Sequence, residues 1–164
     1  MPGVTSQRSS DFTTPSREEI VAISAQHVSL MEASDDDSAW VWVNMHHVLL
    51  RTIGRRSGGE HKVALPFWLD ASGVRVIAGS FAGAEQHPAW FLNLSDRSAN
   101  PEIFVRVQGG TYWSVPEILE GSEYDATWAA MIVDRPHYAD YQVNTERQIP
   151  LVRLVESRPA ESPE

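Results

Sequence analysis

The chain has 164 residues, 42% of them apolar, and a formal charge of -9, which suits one globular domain with a full hydrophobic core. It lacks cysteine, so disulfides, thiolate metal sites and a cysteine nucleophile are excluded, and redox chemistry needs a bound organic cofactor. The acid excess speaks against nucleic-acid binding, and no apolar run approaches the roughly 20 residues of a membrane helix or forms a signal-peptide core, so a cytoplasmic protein with no integral membrane segment is expected.

In chain order, residues 1–14 and 157–164 read as disordered tails around a single domain at 15–156. Ser16 and Glu19 form a capping box that opens a helix running to about Glu32. Ala39 to Arg51 is β-branched and aromatic, with imperfect alternation, and predicts one long strand. His61–Leu69 alternates well, and Asp70-Ala-Ser-Gly73 turns it into a partner strand at Val74–Ser80. Pro88 begins a short helix through Leu94. Ile103–Val107, the Gly109-Gly110 turn and Thr111–Leu119 predict a second hairpin. Ser122 caps a helix with Tyr124, Trp128, Met131 and Ile132 on one face, Pro136 stops it, and Pro150–Val155 is a last strand. About six mostly antiparallel strands and three helices, joined by short turns, imply a mainly β protein with helices (α+β), built as a barrel or rolled sheet. No GxGxxG follows a strand, which argues against a Rossmann site.

Two segments carry the chemistry. Leu49-Leu-Arg-Thr-Ile-Gly-Arg-Arg-Ser-Gly58 sets Arg55, Arg56 and Ser57 in a glycine-bounded turn, with Lys62 close behind. Four of the 13 basic residues (Arg51, Arg55, Arg56, Lys62) fall within twelve positions of an acidic chain, a pattern suited to a phosphate or carboxylate. Ala82-Gly-Ala-Glu-Gln-His-Pro-Ala-Trp-Phe-Leu-Asn-Leu94 turns at glycine and enters an aromatic helix. Together they read as two lips of a site for an anionic, aromatic ligand.

These motifs, with Phe67-Trp-Leu69, Ala99-Asn-Pro101, Tyr138-Ala-Asp-Tyr-Gln142 and Arg147-Gln-Ile-Pro150 in the same order, give a chain whose residues 49–155 resemble the deazaflavin-dependent nitroreductase family. The resemblance implies an FMN-binding-like split β-barrel that binds coenzyme F420 and passes hydride to a quinone, enone or nitro compound. On this likeness Arg55, Arg56 and Ser57 hold the phosphate and glutamyl tail. Lys62, Val63, Ala64, Leu65, Pro66 and Phe67 line the cofactor. Ala78, Gly79, Ser80 and Phe81 pass the ring, and Ala89, Trp90, Phe91, Leu92 and Asn93 close over it. Tyr138 lies near the ring and Tyr141 on the substrate side. With Ser80, these tyrosines are the candidate catalytic hydrogen-bond or proton donors. Phe81 and Arg135 stand where the family carries a lysine and a tyrosine, which implies an altered substrate pocket.

Other residues have plainer readings. His46 and His47 point to opposite faces of a strand and do not share a metal ion. His87 orders the turn before Pro88. Trp40, Trp42, Trp68, Trp113 and Trp128 are barrel core or an oligomer contact, which is compatible with a homodimer. A non-catalytic carrier of F420 or a flavin, and an FMN-dependent enzyme on a similar barrel, require the same basic turn and stay open at this point.

Overall fold

A computed structural model describes residues 16–160; the tail expected at 1–14, and positions 161–164, lie outside the described residues. The fold is mixed α+β. Its strands form two sheets in which each pairing is antiparallel. Ten strands are found among the described residues, more than the six expected, because three of the expected strands are interrupted and one further strand forms near the end of the chain.

Helix α1 (Arg17–Ala33) begins where Ser16 accepts a bond from the Glu19 amide at 3.2 Å. The single strand expected from Ala39 to Arg51 is instead a helical turn α2 (Asp37–Trp40), a short strand β1 (Val41–Trp42), and β2 (Met45–Ile53). Two local forces override the strand pattern. Trp40 Nε1 donates to the Ser34 carbonyl at 2.7 Å, fixing the turn. Val43 and Asn44 then adopt φ of 53° and 60°, the doubly left-handed conformation of a two-residue hairpin.

In the first sheet β2 pairs with β1, with β3 (Glu60–Pro66) and with β6 (Ile103–Val107). The sheet continues through β7 (Gly110–Ser114) to β10 (Glu156–Pro159). Strand β10 corrects the expectation of a disordered tail from residue 157. It pairs with β7, and Arg158 and Ser157 both bond to the Glu102 carboxylate. The second sheet has the order β4 (Trp68–Leu69), β5 (Arg75–Ala78), β9 (Leu151–Arg153), β8 (Glu117–Ile118). The chain leaves the first sheet for the second at Phe67, and again at Val115-Pro116, where proline cannot donate to a ladder. The strands expected at His61–Leu69 and Thr111–Leu119 break at those points. Among the described residues the two sheets do not join into a closed ring.

Between the sheets lies the main core, where Val48, Leu50, Ile103 and Val105 meet Ile77 and Val152. Helix α3 (Ala89–Ser95) plugs this space with Trp90, Phe91 and Leu94. Leu50 is fully buried, so Leu50→Ala costs about 2–5 kcal/mol. Leu49 and Ala64 point the other way, onto Val28, Met31 and Trp40. Strand β2 is thus covered on both faces, which explains why Val48-Leu49-Leu50 is unbroken where alternation was sought. Helices α4 (Gly121–Asp134) and α5 (His137–Val143) cover the second sheet through Tyr124, Met131 and Tyr138. Ser122 lies inside α4 and is not its cap. The buried Leu119 bonds to the Leu151 carbonyl and ends the strand there, so Glu120 takes the cap position.

A histidine pair seats α1. The His27 ring stacks on Trp42 with centroids 3.6 Å apart, and its Nε2 donates to the Ala39 carbonyl at 2.7 Å. His47, 4.7 Å away by centroid, donates through Nδ1 to the Met45 carbonyl. Burial holds the His47 pKa down at about 4 and also lowers that of His27. His46 is exposed on the opposite face of the strand.

Candidate active site

The turn between β2 and β3 is closed by two backbone bonds, Gly54 N–H to the Gly59 carbonyl at 2.7 Å and Gly58 N–H to that of Gly54 at 2.9 Å. A Cβ on Gly54 would sit 2.5 Å from Ser57 Oγ and 2.6 Å from His61 Nε2, so any side chain there would force Ser57 and His61 to shift. Arg55 donates to Asn93 Oδ1 through its amide at 3.3 Å and Nη1 at 2.9 Å. Asn100 completes the fastening. Its Nδ2 donates to the carbonyls of Asn93 and Ile53, both at 2.8 Å, and its Oδ1 accepts the Ile53 amide at 2.7 Å. The arginine turn and α3 are thereby held as one unit. Arg56 projects from it, exposed, and is engaged by no hydrogen bond or ion pair among the described residues. A basic mouth of about 460 Å³ opens here, lined by Arg55, Arg56, Glu85, Gln86, His87, Ala89, Leu92 and Arg147.

Across the mouth the chain bends in an unusual way. Phe81, Ala82 and Gly83 have φ of 45°, 53° and 79°, and each non-glycine residue held there costs about 1–3 kcal/mol. Arg147 clasps the bend. Its Nε donates to the Ala84 carbonyl at 2.9 Å, Nη2 to that of Ser80 at 2.8 Å, and Nη1 to that of Gly79 at 2.9 Å and to His87 Nδ1 at 3.1 Å. Burial lowers the pKa of Arg147, and burial with the Arg147 charge lowers that of His87. The imidazole is therefore a neutral acceptor that helps to order the turn, as expected from sequence.

Next to the mouth, and sharing Ala89 with it, lies an apolar and aromatic basin of about 570 Å³. Helix α1 forms one wall with Ile20, Val21, Ser24 and Ala25, and β3 a second from His61 to Pro66. Ser24 Oγ accepts the Ala64 amide at 3.1 Å. By the alternation of an antiparallel ladder, Lys62 and Ala64 thus turn their backbone groups away from β2. The remaining wall includes Ala78, Ser80, Phe81, Ala82, Pro88, Trp90, Asn93, His137, Tyr138 and Tyr141. Burial pushes the Tyr138 phenol up to about 12, and also raises that of Tyr141. Both are protonated donors at neutral pH.

The structure therefore gathers most of the residues singled out from sequence. Lys62, Val63, Ala64, Leu65, Pro66, Ala78, Ser80, Phe81, Ala89, Trp90, Asn93, Tyr138 and Tyr141 line the basin, and Arg55, Arg56, Ala89 and Leu92 line the mouth. Four line neither. Ser57 folds back to accept the Gly59 amide, Gly79 is enclosed against Pro150 and Arg147, and Phe67 and Phe91 pack with the core. Lys62 borders the basin, but its Nζ is held by Glu32 of α1 at 2.7 Å. His61 borders it too.

Sequence reasoning missed Arg147, Asn100 and the α1 wall. The first two stand within quoted motifs, Arg147-Gln-Ile-Pro150 and Ala99-Asn-Pro101, so a signal was present without a role. No comparable signal marks Val21, which reads as helix core yet is 59% exposed beside the basin.

Comparison with known proteins bears on this groove. Residues 24–156 match the family model of the F420H(2)-dependent quinone reductases. Among solved structures, the chain is similar to an F420-H2 dependent reductase, FDR-A, at 30% identity and a TM-score of 0.56, over 66% of this chain and 93% of that one. It is also similar to a protein described as a domain-swapped dimer, at 25% identity and a TM-score of 0.59, over 80% of this chain and 96% of the other.

Proposed function

Because the chain belongs to the F420H(2)-dependent quinone reductase family, and its cofactor is accordingly coenzyme F420, we propose that it reduces a quinone by hydride transfer, with enones and nitro compounds as further acceptors. The family match favours this over the FMN enzyme and the inert carrier. One observation carries the reading: a basic mouth and an aromatic basin meet at Ala89 in a single groove. An anionic tail and a flat ring on one molecule need that pairing of charge and apolar wall.

When bound, the reduced cofactor supplies the hydride from its C5 carbon. The chain does the rest. Arg56, with Arg55 oriented by Asn93, holds the phosphate and glutamyl end. Trp90 and the β3 wall enclose the ring and exclude water. Tyr138, Tyr141 and Ser80 offer hydrogen-bond donors to the acceptor oxygen as it gains negative charge. The two-sheet fold is read as a split β-barrel, and the domain-swapped relative supports a homodimer, which light scattering tests.

The main experiment is a titration. Added protein is expected to quench F420 fluorescence, FMN to compete poorly, and menadione to consume the reduced cofactor. Tight FMN binding with no response to F420 would replace this reading with the flavin enzyme. F420 binding without turnover of any acceptor would favour the carrier.

A further inference from the structure

His87 leads into α3 and lines the mouth, and its ring is held by two neighbours. Phe91 lies against it with ring centroids 4.9 Å apart, and Arg147 Nη1 meets its Nδ1 at 3.1 Å. A guanidinium has N–H donors and no acceptor. Nδ1 is therefore the accepting nitrogen, and the one proton of the neutral imidazole sits on Nε2. A histidinium would set N–H against N–H and cation against cation at that distance. Burial and the Arg147 charge both oppose it.

The contact with Arg147 thus occupies one ring nitrogen and turns the other into a donor. That donor, Nε2–H, meets no partner among the described residues. The other charged groups around it line the same mouth: Arg55 and Arg56 from the turn, Glu85 from the preceding bend, and Arg147 itself. Arg55 commits Nη1 to Asn93, and Arg147 commits each of its nitrogens to the bend. Their charges attract an anion, but these N–H groups already have acceptors. The imidazole N–H is both free and oriented before a ligand arrives, which lowers the ordering cost of binding.

We propose that His87 is a binding residue of the mouth: its Nε2–H donates to an anionic oxygen, phosphate or carboxylate, on the tail of the bound cofactor. This rests on the cofactor reading above and adds a contact to it. Arg147 is the positioning residue, because its donor fixes which nitrogen of His87 carries the proton. The turn-ordering role of His87 uses Nδ1 alone, so both roles fit on one ring.

Two substitutions separate them, since Asn Oδ1 stands near the place of the imidazole Nδ1 and Gln Nε2 near that of its Nε2. His87→Asn keeps an acceptor for Arg147 and deletes the outer donor. It is expected to weaken F420 binding about 10-fold, as loss of a hydrogen bond to a charged group does, with the melting temperature held. His87→Gln should recover most of the affinity. The tail-free deazaflavin nucleoside should bind the wild type and both variants alike. F420 stripped of its glutamates tells the oxygens apart: a loss that persists with it assigns the phosphate, and a loss confined to intact F420 assigns a carboxylate. In the labelled wild-type protein at neutral pH, the imidazole nitrogen resonances should show a protonated Nε2 and a bare Nδ1, and F420 should move the former. These resonances decide the matter should His87→Asn fail to fold. Wild-type affinity in His87→Asn, an equal loss for the tail-free nucleoside, or an Nε2 resonance unmoved by F420 would overturn the inference and leave F420 binding standing. A wild-type protein that does not bind F420 would remove both.

Discussion

The mouth and the basin share one groove but rest on different forces. The mouth is polar: Arg55, Asn93, Asn100 and Arg147 are fixed by directed hydrogen bonds, and Arg56 alone is left uncommitted among its arginines. The basin takes its shape from packing, and its α1 wall is partly open to solvent, with Val21 at 59% exposure. Charge acts at a distance and is screened by salt, whereas apolar walls act only on contact. Capture and alignment can therefore be disturbed separately, the first by ionic strength and the second by loosening α1.

The sharpest way to break this division is Arg147→Ala. Three carbonyls lose their donor and the strained bend at 81–83 is released, so a loss of about 3–5 kcal/mol is expected, read as a melting temperature lower by about 10 °C. Both ends of the groove should fail together, since the bend borders the basin while Arg147 borders the mouth.

Acid should separate them. An unfolded chain protonates His47 near 6.5, while the folded chain resists until about 4. Stability from this group is complete above pH 6.5 and is lost as pH falls toward 4, by up to about 3 kcal/mol. Hydrogen exchange should show α1 opening in that window before the arginine turn does, and His47→Phe should flatten the dependence.

Tyr138→Phe should slow turnover about 100-fold and leave F420 affinity unchanged, measured by steady-state kinetics beside a fluorescence titration. The smallest effect belongs to the mouth. Arg56→Glu reverses an exposed charge and should weaken F420 binding about 10-fold to 30-fold, with a shallower salt dependence because screening has less attraction to remove. Wild-type affinity in that variant would detach the cofactor tail from the arginine turn.

Much of this arrangement is legible in the sequence, and the limits have physical causes. The Ser16 cap, the Asp70–Gly73 turn and the short helix that follows Pro88 are set by local chemistry and stand as read. Long strands failed for two reasons: Phe67 and Pro116 mark tertiary passages between sheets, and Trp40 is drawn into a helical turn by its local bond to the Ser34 carbonyl. Glu156–Pro159 looks like tail because its composition is polar, yet its partner strand and Glu102 lie far away in sequence. The same holds for the site. Arg55 and Arg56 announce themselves by charge density. Arg147 works through carbonyls scattered from Gly79 to Ala84, and no spacing rule reveals that.

The bend at Gly83 carries a last consequence, for anyone wishing to alter which acceptors this protein takes. A Cβ there would lie 2.9 Å from the Tyr141 carbonyl, so the bend and α5 touch main chain to main chain. Residues 81–83 and 138–141 are thus one interchangeable cassette: a relative's loop grafted without its matching helix would arrive out of step, and libraries that vary both together should yield far more folded clones than libraries that vary either alone.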